Sequence, residues 1–412
     1  MSERVGEPQL FGGTPAMLEM PTSVMPKGVE HNTTETVLIV GASTRAAAFS
    51  ALRAGLKPRC LDHFADRDLM AICTVDRVEA QEGVAGLERL ARGLPPGPWL
   101  YTGPLENHPD RVERISRTHR LHGNAAETLR GARDPFRLVE VLRRQGLPYL
   151  ETRPDAQRLP RDGSWLVKPI ASAGGRLVQH LDHATVPLAE PSYFQQFLDG
   201  PSHSALLLAQ QEGAAELVGV TRQLLGTPGS PFAYRGDIGP SLVPAPLMSR
   251  LRQLGNVLSS AFRLVGLFGV DYIQHDDEPW LVEINPRYTA SVEVFELATH
   301  RTLLTEHLRA CGMDLVESLP PGKPQTVTTK APVVGKAVLY AQRYMVAPEI
   351  EIDDPRCRDP FAVPAIADVP WPGTTIAAGA PIMTMFTKGE DVRECEVRLD
   401  ELETLWQNSL KA

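Results

Sequence analysis

Apolar positions in this chain first become regular at Thr36. Val37-Leu38-Ile39-Val40 is a short, wholly apolar run followed by Gly41-Ala42-Ser43-Thr44, and an apolar run bounded by turn residues predicts a buried strand. Arg45 to Ala54 reads as a helix closed by Gly55, and Pro58 to Leu61 as a second strand, so the segment predicts a βαβ unit. Residues 1 to 35 carry Gly, Pro, Met, Glu and Thr without apolar period. They offer too little core to offset the entropy of ordering and are expected to form a loose arm.

Further along, a helix from Pro135 to about Gln145 is stopped by Gly146 and Pro148. Trp165 to Pro169 reads as a strand running into a loop with Gly174-Gly175, and Tyr193 to Leu198 as another apolar segment. A helix from about Ser249 to Val265 leads into strands Val270 to Gln274 and Trp280 to Asn285, then into a helix from Ser291 to Arg309. Pro, Gly and Thr gather near Leu319-Pro320-Pro321-Gly322, as in a linker, and Gly335 to Tyr340 and Thr375 to Phe386 read as strands. The pattern predicts a mixed α/β and α+β chain. Its expected parts are a Rossmann-like α/β domain over 36–128, a central domain over 129–318, and a linker with a small β-rich domain over 319–412.

Charge narrows the partners. There are 42 Lys plus Arg against 50 Asp plus Glu, a net charge of -8, whereas a dedicated nucleic-acid binder shows a basic excess on one face. No nucleic-acid partner is expected. No run of 18 apolar residues occurs, and the first thirty residues lack the order of a signal peptide, so no membrane association and a cytoplasmic location are expected. Five scattered cysteines suggest reduced thiols rather than disulfides or a zinc knuckle.

The strongest chemistry lies between Leu267 and Glu293. In a hairpin centred on Asp277, residues whose numbers sum to 554 face each other, which sets Asp271 opposite Glu283 with Cβ atoms about 5 Å apart. Strand alternation adds Asn285 to the same face, with Arg287 after Pro286. Two opposed carboxylates repel unless a cation sits between them, and this set of oxygen ligands suits Mg²⁺. The solvated surface hairpin is the bland alternative, but Ile273, Leu281, Val282 and Ile284 indicate a half-buried pair, where unpaired charge is costly. Ser291, Glu293 and Glu296 follow as candidate support for the site.

Lys168 is the second anchor, being the only lysine between Lys57 and Lys323. An ammonium ending an apolar strand can meet phosphate oxygens while the N–H groups of a following turn, here Ser172-Ala173-Gly174-Gly175-Arg176, wrap them.

Other features point elsewhere. Asp62 follows Gly41 at about the spacing of a ribose-binding acid, which motivates an NAD-linked oxidoreductase as an alternative. Yet Gly41 is the only glycine where that fingerprint needs three. His300 and His307 form no His-Glu-x-x-His pattern, so a zinc hydrolase is not indicated. Arg235, in the polar loop Tyr234-Arg235-Gly236-Asp237, has the fork to clamp a substrate carboxylate. Acids over Asp391 to Glu403 read as a solvated helix face.

Lys168-Pro169 with its Gly loop, Gln195-Gln196-Phe197-Leu198 running into Asp199-Gly200, Gly269-Val270-Asp271 and Glu283-Ile284-Asn285-Pro286-Arg287 stand together in order. Over roughly Ala132 to Arg309 this resembles the ATP-grasp superfamily. Within it, the chain is similar to carboligases related to biotin carboxylase and to tyramine-glutamate ligase-like carboxylate-amine ligases. The resemblance implies a Rossmann-like domain before the grasp and a small β-rich domain after it. It implies ATP with Mg²⁺ or Mn²⁺ held by Asp271, Glu283 and Asn285, and Arg287 facing the transferred phosphoryl group. Lys168 would hold α- and β-phosphate oxygens under a mobile flap of Ser172 to Gly175. Gln196, Phe197 and Leu198 would read the adenine edge, Asp199 and His203 the ribose, and Arg235 and Ser291 the substrate.

The implied reaction activates a carboxylate as an acyl phosphate and joins it to an amine, with small-molecule partners and a homodimer left open. Glutamyl transfer onto an amine-bearing, methanofuran-type C1-carrier precursor is the nearest implied case. Nothing resembles a biotinyl-lysine element, which argues against the carboxylase branch. Where the family carries a further ATP-binding lysine, this chain has Arg130, Arg133 and Arg137. That departure motivates one more alternative, an ATP-binding protein of the same fold without turnover.

Overall fold

The computed structural model describes residues 35–182, 191–210, 212–227, 229–315, 332–352 and 354–410. The expected arm, save residue 35, and the linker around 319–322 lie outside the described residues.

The first apolar run and its successors form strands β1 (Thr36–Val40), β2 (Lys57–Asp62), β3 (Thr74–Arg77), β4 (Pro98–Tyr101) and β5 (Arg120–Leu121). All pair in parallel, in the order β3-β2-β1-β4-β5. The chain reverses direction across the sheet between β1 and β4. In open parallel sheets the crevice at the carboxyl ends of such strands is where ligands sit, and here the loop after β4, Thr102 to Asn107, is turned toward the centre of the molecule.

Two antiparallel sheets follow. The smaller is β6 (Thr152–Arg153), β7 (Asp162–Pro169), β8 (Gln179–Asp182) and β9 (Ser192–Gln196), ordered β6-β9-β7-β8. The larger begins with β10 (Ser202–Ala209), β11 (Ala215–Thr227), β12 (Ser230–Gly239), β13 (Gly266–His275) and β14 (Glu278–Asn285). After the linker come β15 (Val333–Tyr340), β16 (Met345–Val346), β17 (Ile366–Ala367), β18 (Thr375–Ile376) and β19 (Pro381–Gly389). Strands β15, β19 and β17 continue the larger sheet, whose order is β14-β13-β10-β11-β12-β15-β19-β17, and β16 pairs with β18 as a separate ribbon. The stretch read as one strand from Thr375 to Phe386 is thus two, parted by a turn in which Gly379 donates its N–H to Ala341.

Helix Ala245–Phe262 buries Leu251, Leu254 and Leu258 against Phe268, Tyr272 and Leu281 of the β13–β14 hairpin, and so fixes that hairpin from behind. The expected helix from Ser291 to Arg309 is two helices, Ala290–Thr299 and Leu303–Ala310. His300 ends the first in a left-handed conformation, φ 55°. Glu293 and Glu296 do not support the metal-binding acids as anticipated. They lie on a helix buried from Ser291 to Thr299 and point toward the first domain, where Arg45 grips Glu293 at 2.6 and 2.7 Å and Arg53 meets Glu296 at 2.7 Å. Lys336 of β15 reaches the same Glu293 at 2.6 Å. One buried carboxylate therefore ties the N-terminal, central and C-terminal parts together. Among the described residues no helix is long and apolar enough to cross a membrane.

Candidate active site

The β13–β14 hairpin turns on two residues, Asp276 and Asp277, both at positive φ (49° and 58°), the backbone of a tight hairpin turn. Near the turn Tyr272 pairs with Leu281 and Ile273 with Trp280; beyond a shift between Asp271 and Tyr272, Asp271 pairs with Glu283 and Gly269 with Asn285. Val282 is the extra residue. A regular two-residue hairpin would have set Asp271 opposite Val282; the bulge sets it opposite Glu283. The expected pairing is present, for a reason other than the one that predicted it.

Tyr272 and Leu281 enter the core while Asp271, Val282, Glu283 and Asn285 line a cavity between the two antiparallel sheets. Asn285 Nδ2 donates to Asp271 Oδ2 at 2.9 Å, so the amide and the carboxylate meet on the cavity face. Burial, together with the like charge of Glu283, pushes the Asp271 carboxyl up to about 7. Burial alone would raise Glu283 too, but Arg133 and Lys168 hold it below the ordinary value. The pair is asymmetric: Glu283 is ionised against Arg133 at 3.2 Å, and Asp271 lacks a cation of its own. Such a pair fits a divalent cation. Among the described residues, here or elsewhere, no group of three or more His, Cys, Asp and Glu side chains is placed to hold a metal, so at this site the pair would need the Asn285 amide and ligand oxygens to complete a shell.

Lys168, at the end of β7, is buried; its Nζ donates to Gln195 Oε1 at 3.0 Å, and Gln195 Nε2 donates to the bulged Val282 carbonyl at 3.3 Å. The lysine is thereby set against the acids across the cavity. Beyond it the glycine loop is docked rather than free. The Ser172 carbonyl accepts from Asn107 Nδ2 and from Arg133 Nη2, both at 3.0 Å, and Gly174 accepts from the Tyr234 N–H at 2.9 Å. Gly175 has φ 66°, and a Cβ there would lie 2.1 Å from the Phe232 carbonyl oxygen. Only glycine permits this closure. With the loop docked the cavity holds about 240 Å³.

At the β9 exit, the N–H groups of Gln196 and Phe197 are spent on Glu151 and Ser164. The Leu198 N–H is the one of the three without a partner among the described residues. Gln196, Phe197, Leu198, Ser172, Gly174, Gly175, Ser291 and Arg287 all line the cavity, Ser291 through a 2.8 Å bond with Thr289.

Three expected residues do not. Asp199 is exposed and outside the lining. His203 points to the opposite face of β10, as alternation with Ser202 and Ser204 requires, and stacks on Tyr272 with ring centroids 5.5 Å apart; burial pushes its pKa down to about 4. Arg235 is turned outward, paired with Glu403 at 2.6 Å and Asp400 at 3.2 Å of helix Val392–Ser409. Those acids are therefore partly a docking face rather than a merely solvated one.

Other wall residues went unforeseen. Asp237, next to Arg235, enters the cavity holding Tyr234 Oη at 2.6 Å and Thr221 Oγ1 at 2.9 Å, and Gln223 and Ser204 flank Asp271. Glu106 accepts Arg287 Nε at 2.7 Å from the loop after β4. The position of that loop, at the carboxyl end of a parallel strand, was the available signal. Asp62 is closed to a ribose, since its carboxylate accepts from Thr44 N, Thr44 Oγ1, Phe64 N and Ala65 N at 2.6–2.8 Å.

Comparison with known proteins agrees with this fold. Residues 132–291 match the model of an ATP-grasp domain family. An uncharacterised protein of Methanocaldococcus jannaschii is 21% identical over 277 residues, 65% of this chain and 63% of its own length. The chain thus spans less than two thirds of that relative. An L-amino acid ligase from Bacillus licheniformis superposes with a TM-score of 0.64 at 16% identity, covering 90% of this chain and 98% of its own. A biotin carboxylase from Campylobacter jejuni, solved as a β-γ-ATP complex, gives 0.63 at 15% identity, covering 88% and 89%.

Proposed function

The chain carries an ATP-grasp domain, and from that premise we propose that it is an ATP-dependent carbon–nitrogen ligase acting on small molecules. One observation carries the reading: Lys168, the docked glycine loop, the Asp271–Glu283 pair and Arg287 converge on a single cavity.

Lys168 and the loop N–H groups would hold phosphate oxygens, with the Leu198 N–H offered to the adenine edge. Asp271, Glu283 and Asn285 would hold Mg²⁺ or Mn²⁺, which when bound neutralises charge on the phosphates. A carboxylate is a poor electrophile. Its oxygen attacks the γ-phosphorus, ADP leaves, and the resulting acyl phosphate is attacked at carbon by an amine, which loses a proton as phosphate departs. Arg287 is held by Glu106 through Nε and by the Tyr288 carbonyl through Nη1 at 3.0 Å, so the rest of its fork is preorganised for charge developing in the cavity. Arg133 takes up the role of a fixed cation where the family's other lysine is missing, bonded at once to Glu283, Ile284 and Ser172.

The finer reading is glutamyl transfer to an amine-bearing, methanofuran-type precursor, supported by the sequence resemblance alone. ADP release with ATP, Mg²⁺ and a panel of carboxylates and amines tests the whole proposal. Carboxylate- and amine-dependent ADP is the expected result. Stabilisation by ATP without any such release would instead identify a binding protein.

A further inference from the structure

One phenol–carboxylate pair in the cavity wall has no part in holding nucleotide, metal or Arg287. Strand β12 carries a bulge between its Leu224–Gly236 and Leu225–Tyr234 pairs with β11, and Arg235 is the extra residue. The shift turns Tyr234 and Asp237 together to the cavity face. Tyr234 is only half-buried there, and its Oη donates to Asp237 Oδ2 at 2.6 Å, while Thr221 Oγ1 donates to Oδ1 of the same carboxylate at 2.9 Å. The backbone of Tyr234 is pinned on both sides: its N–H goes to the Gly174 carbonyl at 2.9 Å, and its own carbonyl accepts from Tyr340 Oη at 2.8 Å. The phenol therefore stands beside the glycine loop, where phosphates would lie.

Charge on this wall has one sign. Asp237 has no ion-pair partner among the described residues, since Lys336, paired with it on β15, gives its ammonium to Glu293 at 2.6 Å. Asp271 adds a second acid to the surroundings of Tyr234, yet is itself met by Asn285, Ser204 and Gln223 rather than by Tyr234 or Asp237. With its hydrogen spent on Asp237, the Tyr234 oxygen can only accept from the cavity. An accepting phenol backed by two acids selects a positively charged N–H donor and disfavours a carboxylate.

We propose that Tyr234 and Asp237 receive the amine substrate as an ammonium and relay a proton from it. The ammonium donates to Tyr234 Oη; as its proton passes to that oxygen, the phenolic proton passes to Asp237 Oδ2. The amine is left neutral, with a lone pair to attack the acyl carbon, Tyr234 is unchanged, and Asp237 is protonated. The nitrogen loses its second proton as the bond from carbon to the phosphate oxygen breaks, and that proton leaves with the phosphate. Asp237 returns its own to water when the products go. This role rests on the ligase reading above. Burial raises the Asp237 carboxyl above the ordinary aspartate value, which suits a base working near neutral pH. Burial and the charge of Asp237 push the Tyr234 phenol up, so it keeps the hydrogen a relay needs.

Hydroxylamine is largely neutral at neutral pH and n-butylamine largely charged, so only the second needs the relay. Both are offered to the full chain with ATP, Mg²⁺ and a panel of amino, dicarboxylic and aromatic acids, and hydroxamate, butylamide and ADP are quantified. Wild type is expected to form both products. Tyr234→Phe, which keeps the ring and the backbone bonds, should cut the rate of butylamide formation about 10²- to 10⁴-fold, the range of a positioned proton transfer, and leave hydroxamate formation within a few-fold of wild type. Asp237→Asn should show the same split. Equal loss of both products in the two variants, or loss of neither, overturns the relay and leaves the ligase standing. Absence of hydroxamate from wild type with every acid removes the ligase reading, and this role with it.

Discussion

Asp271 stands opposite Glu283 because Val282 is an extra residue in its strand. The bulge does two things at once. It brings a second carboxylate to the cavity face, and it frees the Val282 carbonyl to receive Gln195, which in turn holds Lys168. Position of the acids and position of the lysine are therefore set by one irregularity.

Removing the charge of Glu283 should weaken metal-dependent nucleotide binding without unfolding the chain. Glu283→Gln is expected to weaken the Mg²⁺-dependent part of ATP binding on the order of a hundredfold, and Arg133→Met, which removes the partner that orients Glu283, by about 10–100-fold. Thermal shift with ATP, with and without Mg²⁺, measures both. A Mg²⁺ response equal to wild type in Glu283→Gln would contradict the assignment of the acids.

Closure of the glycine loop depends on Gly175. Alanine there would be held in a left-handed conformation and driven into the Phe232 carbonyl; a strained non-glycine residue costs about 1–3 kcal/mol. Gly175→Ala is expected to weaken nucleotide binding roughly five- to a hundredfold and to raise amide exchange across 172–176. Unchanged exchange in the loop would show that it does not need to dock.

The parts of this site that sequence made legible are those written in local pattern. The apolar run before Lys168, the paired glycines and the acid–amide–arginine spacing after Asp271 each announce an element and a face. Arg235 misled because it is the extra residue of a bulge in β12, between the Leu224–Gly236 and Leu225–Tyr234 pairs, so that Tyr234 and Asp237 face the cavity and Arg235 does not. His203 failed because alternation says which residues of β10 share a face but not which face the cavity takes. For Glu106 the sequence offered only the place of its loop at the end of a parallel strand, because its meeting with Arg287 joins residues 181 positions apart and the packing of one domain on another brings them together. Glu293 looked like part of the site by proximity in sequence, yet helical rotation turned it toward Arg45.

Acid should unlock the three parts of the chain at Glu293. Burial would raise its pKa, but Arg45 and Lys336 hold it well below the ordinary glutamate value. A group whose folded value is depressed contributes stability that is fully present above its unfolded value, about 4.3, and is lost as pH falls below it. Asp68 in the same cluster, pushed up to about 6 chiefly by burial, runs the other way and favours the fold as pH falls through that value. Glu293→Gln leaves two buried cations short of a partner and is expected to cost about 3–5 kcal/mol near neutral pH. It should also flatten the acid limb of denaturant-measured stability below about pH 4.3. An acid limb identical to wild type would place the acid-labile group elsewhere.

Arg235→Ala should leave turnover intact. Its ion pairs with Asp400 and Glu403 are partly exposed, and such pairs contribute about 0–1 kcal/mol. A large rise in the KM for a carboxylate substrate, with the melting temperature unchanged, would restore the clamp that the outward orientation removes.

Arg287→Lys is the substitution that separates charge from geometry. Nε of Arg287 is bound to Glu106 at 2.7 Å and Nη1 to the Tyr288 carbonyl at 3.0 Å, and a Cβ on Gly103 would lie 3.4 Å from the guanidinium, so the fork is packed as well as bonded. Lysine carries the same charge but cannot hold Glu106 and reach into the cavity together. Loss of one preorganised donor to developing charge costs on the order of 2.7–4 kcal/mol in the barrier, so kcat is expected to fall about 10²- to 10³-fold while ATP affinity changes little. Single-turnover ADP formation at saturating ATP reads the two apart. Should the lysine variant turn over at the wild-type rate, Arg287 would be a strut between domains and the chemistry would have to be assigned to Lys168 and Arg133.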